Sequence, residues 1–213
     1  MALPLPRHLV SFLFPVEAGE SPGVRANERL TAMAGAALFI LLAVEGVTIV
    51  QVHQLFSVHV FVGVMLLGPL TVKLGSTGYR FIRYYTHADA YRQKGPPIPL
   101  LRLLAPILVA STLVVFGTGV ALLAVGPHNS GQLVFVHRVS FFVWFGVMTV
   151  HVLAYVWRIP GDAKADWRKA PDAPWRRVRL GINLGGLAAG AIAAALVLPA
   201  AQPWLTRFTE IHH

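Results

Sequence analysis

Residues 137–151 read HRVSFFVWFGVMTVH, an apolar stretch with an imidazole at each end. A helix turns about 100° per residue, so a separation of fourteen residues falls about 40° short of four full turns. His137 and His151 therefore share one helix face, about 21 Å apart along the axis. A run this long and this apolar reads as a membrane-crossing helix, and the two histidines take their meaning from what stands opposite them.

The rest of the chain supports the membrane reading. Of 213 residues, 55% are hydrophobic and 13% charged, with a mean hydropathy of +0.62, outside ordinary soluble composition. Stretches long enough to cross about 30 Å of hydrocarbon fall at 31–52, 55–75, 103–125, 133–157 and 181–200. The expected fold class is all-α, an integral membrane helical bundle of five transmembrane helices forming one domain over 1–213. Residues 1–30 read as a cytoplasmic lead-in along the membrane surface, 31–157 as a four-helix core, 158–180 as a cytoplasmic loop, and 181–213 as the fifth helix and outer tail. The connection at 52–54 is short enough to make the first two spans an antiparallel hairpin. Proline and charge interrupt MALPLPRHLVSFLFPVEAGESPG, so no cleavable signal peptide is expected. His212 and His213 have the look of a tag and receive no function.

The net charge of +9 is high for a nucleic-acid-free protein, but its distribution follows the membrane. Of the eighteen Lys and Arg residues, all but Lys73, Arg138 and Arg207 lie before span one, between spans two and three, or between spans four and five. With five spans these regions share one side, which the positive-inside rule makes the cytoplasm, with the N-terminus in and the C-terminus out. The expected location is the plasma membrane, and the basic charge is assigned to topology and anionic-lipid contact rather than nucleic acid. The absence of cysteine excludes disulfides, thiolate ligands, cysteine-held iron–sulfur clusters and c-type haem attachment. Span five carries Gly181, Gly185, Gly186 and Gly190 at small-xxx-small spacing, a close-packing signal; lacking titratable groups, it is expected beside the functional four-helix core.

Ionisable groups inside hydrocarbon are costly and are usually paired or functional. They are Glu45 in span one, His59 and Lys73 in span two, and His137, Arg138 and His151 in span four. Spans two and four run in the same direction, and His59 and His137 each sit about 6 Å inside the outer boundary. Fourteen residues further in come Lys73 and His151, again level. The four side chains form two rungs, His59 with His137 and Lys73 with His151. Facing imidazoles on two helices of a bundle are a standard way to hold a low-spin haem iron. Gly46, Gly63, Gly117 and Gly119 near the outer rung, and Gly35, Gly68 and Ala110 near the inner one, are expected to make room for porphyrin.

The H-x13-H helix 137–151, set beside HVFVGVMLLGPLTVK at 59–73, resembles the dihaem four-helix transmembrane cytochrome b superfamily, which includes respiratory cytochrome b and b561-type cytochromes. It also resembles small, poorly characterised bacterial cytochrome-b-like membrane proteins. The resemblance covers roughly residues 31–157. It implies a b-type cytochrome with two haems b, axial ligands His59, His137 and His151, and electron transfer across the membrane as a relay or as the subunit of an oxidoreductase. It also implies a quinone or a redox partner subunit as donor or acceptor, and a bacterial setting. The family places histidines where this chain has Lys73. A neutral Lys73 amine could be the fourth ligand, helped by burial and by the iron's charge; it could instead snorkel to headgroups or meet a propionate, leaving His151 as sole ligand or the inner site without haem.

Arg138 is a candidate propionate contact or a headgroup snorkel. Glu45 is a candidate proton or quinone site, or a neutral carboxyl bonded to a neighbouring helix. His53 and His128 fall in outer loops where they could flank a docking site, and His87 reads as a surface residue. GSTGYR at 75–80 lacks the preceding strand that a nucleotide loop requires. Neither loop carries a flavin or nicotinamide fingerprint. Two alternatives stand beside the relay: a quinone-reactive enzyme of the superoxide oxidase kind, and a cofactor-free transporter or scaffold in which Glu45 and Lys73 serve ions or protons.

Overall fold

The computed structural model describes residues 21–94, 99–128, 130–155 and 175–211. Most of the expected lead-in, the expected second basic loop up to residue 174, and His212–His213 lie outside the described residues. Every regular element among the described residues is helical. Helix α1 covers Pro22–Val50, α2 Phe56–Met65, α3 Leu67–Tyr85, α4 Asp89–Lys94, α5 Pro99–Val125, α6 Gly131–Tyr155 and α7 Arg176–Val197. A 3₁₀ turn at Leu198–Ala201 leads into α8, Gln202–Ile211. Five stretches are long and apolar enough to span a membrane: Pro22–Val50, Phe56–Tyr85, Arg102–Val125, Gly131–Ala154 and Arg176–Glu210.

Three of these helices run further than the hydropathy pattern indicates. Helix α1 begins at Pro22, where the Ser21 hydroxyl accepts the Val24 N–H at 3.4 Å and proline takes a position that needs no donor. Residues 22–30, expected in the lead-in, are therefore helical, and so are 176–180, expected in the loop. Span two continues to Tyr85. Polar residues lengthen a helix without registering in a hydropathy window, because outside the hydrocarbon their side chains are solvated while the backbone ladder goes on.

Span two is one path with a break. Helix α2 gives way to α3 at Leu66, although Leu66 N–H still bonds the Val62 carbonyl at 2.9 Å and Leu70 N–H the Leu66 carbonyl at 3.0 Å. Pro69 has no N–H to offer the Met65 carbonyl four residues back. That carbonyl lies where a Cβ of Gly190 in α7 would stand. A second backbone approach sits one turn away, where a Cβ on Gly68 would run into the Gly186 carbonyl. The glycines of span five thus let α7 close directly onto α2 and α3. Gly68, expected near porphyrin, belongs to this contact.

Helix α7 is consequently an integral member of one packed group with α1, α2 and α3, rather than an accessory beside a four-helix core. Helices α5 and α6 pack closely on one another as a hairpin. Between the two groups the backbones approach sparsely, chiefly where the 3₁₀ turn meets α5. Side chains cross the space at mid-height, where Phe116 of α5 packs on the core of Leu38, Val62 and Leu66. Outward faces carry bare apolar side chains such as Ile40, Leu103, Phe142 and Leu196, the expected dress of lipid-facing helix surfaces.

Helix α8 covers one end of the bundle. Trp204, 8% exposed, donates its Nε1–H to the Leu122 carbonyl at the end of α5 at 3.3 Å. Arg207 bonds the Pro127 carbonyl in the loop that follows α5. On the other side, Phe208 meets His53 and Phe56 edge-on, with ring centroids 5.0 and 5.2 Å apart. One short helix therefore ties the 51–55 turn of the first group to the loop of the second.

Candidate functional site

Beneath α8 lies the outer rung. His59 stands on the first turn of α2, and its Nδ1 is 2.8 Å from Glu45 Oε1 and 3.3 Å from Thr48 Oγ1, both on α1. Thr48 bonds the Glu45 main-chain carbonyl at 2.7 Å and its Oε2 at 3.1 Å. Glu45 and Thr48 are buried, and their spacing of three residues puts both on the α1 face that meets α2. Gly63, one turn beyond His59, leaves room for this carboxylate: an added Cβ would lie 3.4 Å from Oε1.

His137 on α6 is held from the other side. Its Nδ1 lies 2.9 Å from Thr118 Oγ1 on α5, and Thr118 itself bonds the Val114 and Val115 carbonyls. A Cβ on Gly119 would stand 3.2 Å from His137 Cε1. The His59 and His137 rings are close enough to interact electrostatically across the space between the groups.

The inner rung is built differently. The Lys73 amine of α3 turns to α1, where it donates to the Thr31 carbonyl at 3.4 Å and fills the place left by Gly35, whose Cβ would stand 3.0 Å from Nζ. Lys73 and His151 lie close enough to interact electrostatically. No carboxylate pairs with Lys73 among the described residues. Around it runs a polar seam that the sequence did not single out: Thr31 donates to Ser76 Oγ at 2.8 Å, Asn27 to the Ser76 carbonyl at 3.1 Å, and Arg80 to Glu28 at 3.4 Å. The signal was the polar spacing 27–31 facing 73–76–80, at one-turn intervals on each helix.

Midway between the rungs on their own helices stand Leu66 and Trp144. Leu66 is almost fully buried, and Trp144 donates its Nε1–H to Thr112 Oγ1 at 3.0 Å, pinning α6 to α5. The remaining candidates fall away from the ladder. Arg138 is exposed and makes no hydrogen bond or ion pair among the described residues. His53 belongs to the α8 contact, and His87 closes the end of α3 with a positive φ of 61°.

A low-spin haem would take two donors from the protein, and a five-coordinate one a single histidine. The described residues hold no cluster of three or more His, Asp or Glu that could bind a bare metal ion; a haem would not require one. Histidines that ligate iron ordinarily give Nδ1–H to a neighbour and keep Nε2 for the metal. His59 and His137 both have Nδ1 engaged, so the donor set fits at the outer rung. At the inner rung the fit is partial, because the Lys73 amine is directed at Thr31. No protein-family model, curated protein or solved structure matches the chain. The fold is that of an all-helical, multi-pass membrane protein, and the lipid bilayer is its surrounding medium.

Proposed function

We propose that this chain is a b-type cytochrome that moves electrons across the membrane, with an outer haem between His59 and His137 and an inner haem at the level of His151 and Lys73. The observation that carries the reading is the paired Nδ1 engagement: two histidines on different helices are each bonded at Nδ1 to an oxygen of a further helix, Glu45 on α1 for His59 and Thr118 on α5 for His137. A haem, when bound, supplies the one-electron couple. The chain's part is to hold the rings, exclude water by the α8 cover and space the two sites about 21 Å apart by helix register.

At the inner site, Lys73 ligation requires the amine to release the Thr31 carbonyl, a single long hydrogen bond, and to be neutral. His151 is the firmer ligand of the two. A quinone or a redox partner subunit is proposed as the source or destination of electrons, and a quinone-reactive enzyme of the superoxide oxidase kind is a variant of the same reading. The rival is a cofactor-free transporter or scaffold, favoured by one observation: Glu45–His59 and Lys73–Thr31 are each satisfied within the protein.

An absorption spectrum of the purified full chain, with dithionite reduction and a pyridine haemochrome count, separates the two. The cytochrome reading expects a Soret band, two haems per chain, and loss of one in His59→Ala and in His137→Ala. A chain expressed with ample haem that shows no Soret band is no cytochrome.

A further inference from the structure

The two outer-rung histidines are held by unlike partners. His137 Nδ1 meets a neutral hydroxyl, Thr118. His59 Nδ1 meets a carboxylate, and that carboxylate is itself fixed: Thr48 bonds both its Oε2 and its main-chain carbonyl, and Gly63 leaves the space it occupies. A carboxyl buried in a membrane protein is costly, and a hydrogen-bonded ring is what offsets that cost here. The donor strength of an imidazole rises when its far N–H is given to a carboxylate, because negative charge is shared into the ring.

Resting on the cytochrome reading, we propose that Glu45 is a positioning residue for His59: it takes the Nδ1–H, turns Nε2 toward the outer iron, and makes His59 a stronger donor than His137, so that the outer centre has a lowered reduction potential. A stronger axial donor favours the oxidised iron. Glu45 thereby biases the direction of electron flow between the two levels without touching the haem.

The test is a redox titration of the purified, haem-loaded full chain, read by the outer haem's spectrum. Glu45→Gln keeps the size of the group and removes the charge. The expected result is full haem content with the outer reduction equilibrium moved at least tenfold toward the reduced form, about 59 mV for a one-electron couple. Glu45→Asp is expected to restore part of the shift. Thr118→Val, which alters the neutral partner, is expected to move the equilibrium less than Glu45→Gln. Should Glu45→Gln fail to fold, Thr48→Val frees the carboxylate from its anchor and is expected to move the potential in the same direction by a smaller amount.

An unchanged outer potential and an unchanged low-spin spectrum in these variants, with haem still lost in His59→Ala, overturn the role of Glu45 and leave the cytochrome standing. Absence of haem from the unaltered protein removes both.

Discussion

Gly35, Gly63 and Gly119 each face the very side chain that gives their rung its chemistry: the Lys73 amine, the Glu45 carboxylate and the His137 ring. Hydropathy and register could place these glycines near the ladder, and the space they leave was expected to admit porphyrin. It admits protein side chains instead, because helix periodicity fixes which residues share a level and not which atom fills a given hole. Gly46 and Gly117, by contrast, have nothing within 4 Å of an added Cβ. This difference makes a paired prediction. Gly119→Val is predicted to drive the His137 ring off its Thr118 partner and, on the cytochrome reading proposed above, to lower the haem content, whereas Gly117→Val leaves the spectrum as it was; absorption spectra of the two purified variants decide it. Thr118→Val is predicted to destabilise the α5–α6 hairpin by about 0.6–1.5 kcal/mol through loss of one interhelical hydrogen bond, measured by denaturant titration in detergent. Glu45, His59, Lys73, His137 and His151 stood out in the sequence as polar groups inside apolar spans, and the register argument concerned only His59 with His137 and Lys73 with His151. Thr48 and Thr118 did not stand out, since a lone threonine in a span most often bonds its own helix, as both also do here.

Two helices can approach to backbone contact only where neither carries a side chain, and α3 meets α7 in this way at Gly68, Gly186 and Gly190. Close packing was readable from the glycine spacing in span five, but the partner was not, because small-residue spacing shows which face is flat and says nothing of what lies against it. Pro69 was the missing clue. It frees the Met65 carbonyl, and the freed carbonyl faces the glycine-lined side of α7. The same proline accounts for the interruption of span two at Leu66, which an apolar run conceals. An added methyl at Gly68 must displace the Gly186 backbone, so Gly68→Ala is predicted to cost about 1–3 kcal/mol, the usual range for overpacking. Gly75→Ala, where a Cβ meets nothing within 4 Å, is predicted to be neutral or slightly stabilising by helix propensity. Thermal unfolding of the two variants in the same detergent gives the comparison; equal midpoints would show that α3 and α7 are not closed on one another.

At the scale of the whole molecule, two helix groups stand apart over most of their height and are joined at one end by α8. That element was expected only as an outer tail, since ten residues with scattered apolar positions carry no membrane signal, and its contacts at Trp204 and Phe208 depend on turns far away in sequence. Trp204→Ala removes a buried indole and its bond to Leu122, a loss of about 3 kcal/mol for a side chain of this size. On the cytochrome reading proposed above, weakening the tie lets the groups separate first at the His59–His137 end, and a haem held there is predicted to leave before one held by His151 on heating, followed by absorption spectra. The phase that α8 faces is a prediction from charge. Arg80, Arg83, Arg92 and Arg102 belong to the stretch between spans two and three, away from the α8 end, and the positive-inside rule would assign that stretch to the cytoplasm. The chain contains no cysteine, so a single introduced thiol reports cleanly. A cysteine at position 210, on α8, is predicted to react with a membrane-impermeant maleimide in intact cells, and one at position 92, on α4, only after the membrane is opened. The reverse pattern would put the His59–His137 level on the cytoplasmic side and invert the direction of any transmembrane electron flow, while leaving the geometry of both rungs as described.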